Sequence, residues 1–257
     1  MTLQKKIYFA SDFHLGLPAG SPPLEREKKV VKWLSSVVND ASEIYLLGDI
    51  FDFWYEYKYV VPKGYTRFLG KLSELTDRGV EIHFFIGNHD IWCYGYLEQE
   101  CRVILHKEPI TTDIYGKLFF LGHGDGLGDP NKSFKLLRRI FHSRICQVLF
   151  SSLHPRWGMY FGLEWAKHSR KKRNSDKEPE YMGEDKEFLV LFTKEYIKTH
   201  PEVNYFIYGH RHIELDLKLS RTARMMIIGD WISQFTYVVY DGEHIFMEEY
   251  VEGESQP

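Results

Sequence analysis

Short apolar runs, each ending in polar residues, alternate with segments of helical spacing along the first half of the chain. Residues 6–10, 44–47 and 80–86 have the length and apolar character of strands buried within a sheet. Between them, residues 26–39 and 67–76 carry apolar side chains at every third or fourth position, which predicts amphipathic helices. This alternation predicts an α/β fold, which places its functional groups at the carboxyl ends of the strands.

The C-terminal part of the chain has short apolar runs without intervening helical segments. Apart from a strand at 118–121, which belongs to the alternating first half, the further predicted strands are 205–208, 215–219, 225–228, 235–240 and 245–250. The turn signal Asp241-Gly242 joins the last two as a hairpin. We expect the C-terminal strands to form an antiparallel second sheet packed on the first.

The central part of the chain has helical periodicity and no strand-like run. The predicted helices there are 133–150, 160–168 and 184–198. A bare loop of this length is implausible in a compact domain. We therefore predict a helical cap at 128–200, inserted into a single domain spanning 1–257.

The composition favours a folded protein of a reducing compartment. The chain has 257 residues, of which 44% are hydrophobic, so one large domain is able to bury a substantial core. Three cysteines, an odd number without metal-type spacing, predict no disulfide framework. The N-terminal residues lack the apolar region of a signal peptide, and no apolar run reaches the ~20 residues of a membrane span. We therefore expect a cytoplasmic protein.

Positive charge is concentrated in the predicted cap. Residues 131–175 contain eleven Lys or Arg and one acid, Glu164, which gives 11 − 1 = +10 against a whole-chain charge of −3, so the remainder carries −3 − 10 = −13. A solvated basic face is the simplest interpretation. Because the cluster lies within the domain and not in a tail, we favour an anionic partner such as a phosphorylated substrate, acidic lipid headgroups or nucleic acid.

Five polar motifs follow apolar runs in a fixed order. They are Asp12-Phe13-His14, Gly48-Asp49-Ile50-Phe51-Asp52, Gly87-Asn88-His89-Asp90, Gly122-His123-Gly124-Asp125 and Gly209-His210-Arg211-His212. Each motif alone is weak, but together they supply enough carboxylate, amide and imidazole ligands for two divalent cations that share one carboxylate. Mixed ligands of this kind favour Mn, Fe or Zn over Ca or Mg, and a two-metal site is suited to attack on a phosphorus ester.

The motif set resembles that of the calcineurin-like metallophosphoesterases, and no motif is missing between Asp12 and His212. The resemblance implies two packed mixed β-sheets flanked by helices. It also implies the role of each motif residue. One metal would be held by Asp12, His14, Asp49 and His212, and the other by Asp49, Asn88, His123 and His210. By the same likeness His89 faces the substrate phosphate, Asp90 fixes its tautomer, and Asp52 and Asp125 orient ligands.

The aromatic residues Phe53 and Trp54 and the basic apolar cap resemble the UDP-2,3-diacylglucosamine hydrolases of lipid A biosynthesis. These enzymes are peripheral on the inner face of the inner membrane and release UMP and 2,3-diacylglucosamine 1-phosphate. The resemblance implies a nucleotide-activated lipid substrate and an anionic membrane surface as partners. The implied substrate contacts are Asn88, His89, Asn131, Ser169, Lys172, Arg173 and His210. One departure is His89, where many members carry Arg.

Two other functions remain open at this stage. A phosphodiesterase or nuclease with the same metal site would use the basic segment to hold a nucleic-acid backbone, although no base-stacking platform or nucleic-acid module is evident, so nucleic acid is not favoured. A catalytically silent scaffold is the third alternative, but such proteins normally lose ligands and this chain keeps all of them.

Overall fold

The computed structural model describes residues 5–173 and 180–253, except for the side chains of 168–173. The strands are β1 (Lys6–Ala10), β2 (Ala41–Leu47), β3 (Glu81–Phe85), β4 (Ile104–His106), β5 (Ile110–Ile114), β6 (Lys117–Leu121), β7 (Tyr205–Tyr208), β8 (Leu215–Lys218), β9 (Arg224–Ile227), β10 (Thr236–Tyr240) and β11 (Ile245–Glu249). The helices are α1 (Pro23–Val37), α2 (Thr66–Asp77), α3 (Tyr96–Cys101), α4 (Lys132–His142), α5 (Arg144–Ser151), α6 (Pro155–Arg173) and α7 (Phe188–Thr199).

The strands form two sheets. The first has the order β11-β10-β1-β2-β3-β4, in which β1 to β4 run parallel and β10 and β11 antiparallel to their neighbours. The second has the order β5-β6-β7-β9-β8, with β6, β7 and β9 parallel and both edge strands antiparallel. Both sheets are mixed, and the predicted fold class is confirmed.

The prediction of an antiparallel C-terminal sheet was wrong. Strand β10 pairs with β1 in the first sheet, where Phe9 lies opposite Val238, and β11 continues from it. All five residues of β10 are buried, which is typical of a strand covered on both faces and not of an outer antiparallel strand. The parallel pairing of β6, β7 and β9 brings their carboxyl ends to one edge of the second sheet.

Apolar layers hold the sheets and helices together. Between the sheets, Phe9 of β1 stacks on Phe119 of β6 with ring centroids 5.7 Å apart. On the outer face of the first sheet, α1 and α2 contribute Trp33 and Phe68 to a second apolar layer. Helix α7 packs on the outer face of the second sheet through Leu189, so it is part of the body although it falls within the predicted cap range.

Helices α4, α5 and α6 lie within the predicted cap range, and we refer to these three helices as the cap. The predicted helix 133–150 is broken at Ser143, whose extended backbone (φ −68°, ψ 119°) separates α4 from α5. Neither α4 nor α5 has a buried residue. The predicted helix 160–168 is confirmed as the middle part of the longer helix α6. The short elements α3, β4 and β5 were not predicted. Within the described residues no helix is long and apolar enough to cross a membrane.

Candidate metal centre

The five motif loops meet at one edge of the sandwich. Strands β1, β2 and β3 of the first sheet and β6 and β7 of the second each end immediately before a motif. Backbone hydrogen bonds join the loops directly: Asp12 N–H donates to the Gly48 carbonyl at 3.1 Å, and Gly209 N–H donates to the His123 carbonyl at 3.0 Å. The loops therefore form one unit fixed by the strands beneath them.

Five of the seven predicted ligands have a left-handed backbone. The φ angles are 55° for Asp12, 44° for His14, 52° for Asp49, 68° for His210 and 53° for His212. This region is unfavourable for residues other than glycine, and such residues concentrate at functional sites where the surrounding structure holds them in place. In this site, the strained backbone turns each side chain toward a common centre.

The glycines of the motifs leave room for the carboxylates. A Cβ on Gly87 would lie 2.2 Å from Oδ1 of Asp49, and one on Gly209 would lie 2.4 Å from Oδ2 of Asp12. No real Cβ tolerates such contacts. The recurrence of glycine in the motifs thus has a steric cause, since the neighbouring loop passes directly over it.

The predicted ligands converge in two groups. In the first, Oδ1 of Asp12 lies 3.2 Å from Nε2 of His212, and Nε2 of His14 lies 3.1 Å from the same nitrogen. In the second, Nε2 of His123 lies 3.3 Å from Oδ2 of Asp49 and 3.3 Å from Nδ1 of His210. Oδ2 of Asp49 is also 3.8 Å from Nε2 of His14, so this carboxylate joins the groups as a bridging ligand would.

Several buried atoms of this cluster fit cations better than hydrogen bonds. Oδ1 of Asp12 and Oδ1 of Asn88 are buried without a hydrogen-bond partner among the described residues. Imidazole nitrogens also face one another at close range, an arrangement that ions between them would stabilise. The oxygen and nitrogen donors suit borderline divalent metals such as Mn, Fe or Zn.

Electrostatics also prepare the cluster for positive charge. Burial alone would raise the pKa of Asp49, but the imidazoles of His123 and His89 outweigh it and hold that pKa well below its usual range. Burial alone would lower the pKa of His14 and of His123, yet nearby carboxylates, Asp12 for the first and Asp49 for the second, raise both to about 10. The protons on the rings of His14 and His123 therefore balance negative charge of the carboxylates that divalent cations would otherwise balance.

Comparison with known proteins identifies the family. Residues 5–214 match the model of the calcineurin-like phosphoesterases. The chain belongs to this family. The predicted family membership is thus confirmed, and the His and Asp side chains that converge are suited to binding divalent metals.

Relatives cover nearly the whole phosphoesterase chain. It is 41% identical over 256 residues to the UDP-2,3-diacylglucosamine hydrolase of Porphyromonas gingivalis, covering 96% of this chain and 98% of that protein. It is 27% identical to the hydrolase of the same name from Haemophilus influenzae, covering 91% and 94%. Among solved structures, a dimetal phosphatase from Danio rerio matches at a TM-score of 0.46 and 13% identity over 96% and 99% of the two chains. That score is too low to bear on function.

Hydrogen bonds from outside the cluster orient histidines of the phosphoesterase site. Oδ1 of Asp52, the residue predicted to orient a ligand, approaches Nδ1 of His14 only to 3.5 Å, and that nitrogen forms no hydrogen bond among the described residues. Nδ1 of His123, by contrast, lies 2.8 Å from the Leu47 carbonyl oxygen. Such contacts fix the tautomer of a ligand histidine and leave its other nitrogen for a metal.

A residue that sequence reasoning missed performs the same task for His212. Oδ2 of Asp230 lies 2.9 Å from Nδ1 of His212, and its Oδ1 accepts the backbone N–H groups of three residues of the following turn, Ile232, Ser233 and Gln234. The signal was present, because Gly229-Asp230 directly follows Ile228 at the end of an apolar strand, as Gly48-Asp49 does. Asp230 is therefore a positioning residue of the phosphoesterase site.

A buried ion pair holds the loop between two predicted ligands. Arg211, between His210 and His212, donates from Nε at 2.8 Å and from Nη2 at 3.1 Å to the carboxylate of Glu187. Glu187 is fully buried and directly precedes α7. This contact was also missed, because the two residues lie on different elements and nothing in the motif points to the partner.

His89 lies beside the cluster, but Asp90 does not orient it. Nδ1 of His89 lies 2.8 Å from the carbonyl oxygen of Asp52, and burial lowers the pKa of the ring. The Asp90 carboxylate instead accepts the backbone N–H groups of Gly87 at 2.7 Å and Ile50 at 2.8 Å. The predicted role of Asp90 is thus corrected: it fixes the two loops that carry Asn88 and Asp49.

Two other predicted contacts have structural roles. Oδ1 of Asn131, a predicted substrate contact, caps α4 by accepting the N–H groups of Ser133 and Phe134 at 3.0 and 3.1 Å. Asp125, predicted to orient a ligand, accepts from Nε of Arg138 at 2.8 Å and so fastens α4 to the body. The side chains of Ser169, Lys172 and Arg173, also predicted contacts, lie outside the described residues.

Proposed function

We propose that the protein hydrolyses the pyrophosphate of UDP-2,3-diacylglucosamine to UMP and 2,3-diacylglucosamine 1-phosphate in lipid A biosynthesis. The observation that carries this proposal is an apolar cavity built from the motif loops and the cap together. The relatives from Porphyromonas and Haemophilus, whose names state this activity, support it.

The cavity has a volume of about 290 Å³ and lies under the cap. Phe53 and Trp92, which follow the second and third motifs, form its base, while Phe141, Phe150 and Phe161 contribute rings from α4, α5 and α6. An acyl chain of a lipid would displace water from these rings, and its binding free energy would be more favourable by about 25 cal/mol per Å² of apolar surface buried. A chain bound there would leave the phosphates at the neighbouring metal centre.

The outer surface of the cap suits a membrane. Apolar side chains on α4 to α6 are exposed to solvent, among them Ile145 at 73% and Leu149 at 66%. The other strongly exposed ones outside the two cavities of the cap are Leu136, Trp157 and Tyr160. Together with the eleven basic residues of 131–175, this surface is typical of an interfacial element. The protein then acts in the cytoplasm, peripherally on the inner face of the inner membrane.

In the proposed reaction, Asp12, His14, Asp49 and His212 hold one divalent cation, and Asp49, Asn88, His123 and His210 hold the other. We propose Mn, with Fe or Zn as the alternatives. When bound, the pair neutralises phosphate charge and lowers the pKa of a coordinated water, so that a nucleophile is available at neutral pH.

The protein's own residues position the substrate and move its protons. The negative charge of the pyrophosphate raises the pKa of His89, whose Nδ1 the Asp52 carbonyl holds, so the ring takes up a proton at Nε2. From that atom the proton passes to the departing phosphate oxygen. The apolar cavity excludes water from the acyl side of the bond.

The two alternatives fit less well. A nuclease has no use for the cavity that lies under the cap beside the motif loops, which is apolar and has no cationic side chain among its described lining residues. A silent scaffold would be expected to have lost ligands, whereas the candidate cluster is complete and preoriented.

The test is hydrolysis with Mn present, in parallel on UDP-2,3-diacylglucosamine, bis-(p-nitrophenyl) phosphate and a DNA strand. We expect release of UMP from the first and loss of that release in Asp49→Ala, because the bridging carboxylate is removed. The exposed carboxylate variant Asp77→Ala is the control and retains activity. Cleavage of DNA without turnover of the lipid nucleotide would overturn the proposal.

A further inference from the structure

A second and larger cavity lies on the other side of the cap helix α5. Its volume is about 690 Å³, within the range of small-molecule sites. Five tyrosines line it, namely Tyr55, Tyr57, Tyr59, Tyr94 and Tyr96. Three cationic side chains, Lys58, Lys107 and Arg144, stand among them. We call this cavity, defined by these eight residues, the tyrosine pocket.

The tyrosine pocket has an excess of positive charge. Within the described part of the chain, Lys58, Lys107 and Arg144 form no ion pair with a carboxylate. The pocket's one acid, Glu56, is buried, and its oxygens accept from Nε1 of Trp54 and from the N–H groups of Tyr94 and Tyr96. Since that carboxylate is already fully bonded, the three cations are left for an anionic ligand.

The pocket lies close to the metal centre along the first sheet. Lys107 of the pocket directly follows β4. In the first sheet β4 is two strands away from β2, which leads to Asp49, and at the usual strand spacing β4 and β2 are roughly 10 Å apart. Lys107 also lines a small cavity of about 90 Å³ whose wall includes His123 and Gly124. The same lysine thus contacts both the tyrosine pocket and the space beside a predicted metal ligand.

Helix α5 separates the tyrosine pocket from the acyl cavity. Gln147 of α5 lines both cavities, and the hydroxyl of Tyr55 donates to its carbonyl oxygen at 2.9 Å. One side of this wall is apolar, whereas the other carries hydroxyls, rings and cations. A substrate with a lipid half and a polar ring-bearing half would find one cavity for each on the two sides of α5.

We propose that the tyrosine pocket binds the nucleoside half of the substrate. A uracil ring stacks on a tyrosine face, ribose hydroxyls bond to the phenol groups, and Lys107 and Arg144 attract the phosphate charge. This inference rests on the proposed function, because it assigns the uridine side of that substrate. It makes Lys107 and Arg144 determinants of nucleotide specificity.

The first test measures UMP binding to the Mn-loaded protein by calorimetry, with wild type and Lys107→Ala/Arg144→Ala. We expect the dissociation constant to rise roughly tenfold or more in the double variant, since two charge-assisted contacts are lost. The charge-matched control is Lys117→Ala/Arg221→Ala, two exposed residues outside the pocket that lie in β6 and in the turn between β8 and β9. It retains wild-type binding.

The second test locates the ring. Photolysis of 5-azido-UMP on the Mn-loaded protein, followed by peptide mass mapping, should label 55–61 or 94–96, and excess UMP should suppress the label. Labelling confined to the acyl cavity, or an equal UMP dissociation constant in the double variant and wild type, would overturn the assignment.

Kinetics separate this assignment from the proposed function. In the double variant the catalytic efficiency for UDP-2,3-diacylglucosamine should fall more than that for bis-(p-nitrophenyl) phosphate, which has no nucleoside, with the change mainly in KM. If the wild-type protein neither hydrolyses the lipid nucleotide nor binds UMP, the proposed function and the assignment fail together. If wild type hydrolyses the lipid nucleotide and the ratio of efficiencies is unchanged, only the assignment fails.

Discussion

The metal centre and the cap are built in opposite ways. The predicted histidine ligands of the centre lie in loops that backbone hydrogen bonds join at the ends of strands. His14, His210 and His212 have a left-handed backbone, and the ring of His123 lies against Gly48, where a Cβ would come within 2.7 Å of it. The cap helices α4 and α5 have no buried residue and expose large apolar side chains to solvent. The body thus fixes the chemistry rigidly, whereas the cap keeps apolar surface available for something other than its own core.

The largest expected effect concerns pH and the charge of the metal centre. In the metal-free protein the pKa of His14 and of His123 is raised to about 10, so both rings hold a proton at neutral pH. Each cation displaces one of these protons, so the affinity of each proposed site for Mn should increase by up to about tenfold per pH unit below pH 10, and that for the pair by up to about a hundredfold. Calorimetric titration in buffers of different ionisation enthalpy measures the released protons, and zero release at pH 7.5 would contradict this account.

The same pKa values set the stability of the metal-free protein. Because the folded pKa lies above the unfolded value of 6.5, protonation of these rings stabilises the fold fully below that value, and this contribution is lost as pH rises through about 10. Thermal unfolding of metal-free protein between pH 7 and 10 should therefore show a falling midpoint. Saturating Mn should remove the trend.

The next prediction tests how much the orientation of His212 by Asp230 contributes to metal binding at the centre. Asp230→Asn keeps the shape of the side chain that holds Nδ1 of His212 but removes its charge. We expect Mn affinity to fall roughly 10–100-fold, as for other partners of metal-binding histidines. Equilibrium dialysis gives the affinity, with Asp241→Asn in the β10–β11 turn as the control, and an unchanged dissociation constant would show that the Asp230 contact is dispensable.

A smaller effect is expected from the exposed surface of the cap. Ile145→Asp/Leu149→Asp places two charges on the apolar face of α5, where no packing is disturbed because both side chains are exposed. Binding to vesicles of acidic phospholipid should weaken by about tenfold or more, since apolar burial worth roughly 1 kcal/mol or more per side chain is lost. Flotation of the double variant beside Asp77→Ala measures this, and equal recovery of both with the vesicles would argue against the membrane proposal.

The smallest effect tests whether Asn131 caps the N-terminus of helix α4 or contacts the substrate. Asn131→Ala removes the side-chain acceptor at the start of α4 and should cost about 1 kcal/mol of local helix stability. Because the structure uses Asn131 for capping, Asn131→Asp should restore both stability and KM. A raised KM that Asp does not restore would return Asn131 to the substrate contacts.

The sequence revealed the metal centre far better than the cap, and the reason is physical. Asp12, Asp49 and His123 each follow a strand, and parallel strands bring their carboxyl ends to one edge, so local patterns were enough to bring these residues together. The pairing of β10 with β1 joins residues more than two hundred positions apart, which no local period reveals. The break at Ser143 and the partner Glu187 depend on packing between elements, so they emerged only from the structure. Asp230 was missed although Gly229-Asp230 follows an apolar run as Gly48-Asp49 does.

The left-handed backbone of the ligand loops also decides which replacements the site tolerates. Asparagine enters that conformation more readily than most residues, whereas a β-branched side chain does not. Asparagine at positions 12 and 49 would leave the loops in place while removing the anionic oxygens. Chains altered in this way are the natural choice for trapping an intact ligand in a crystal, because their architecture survives the loss of turnover.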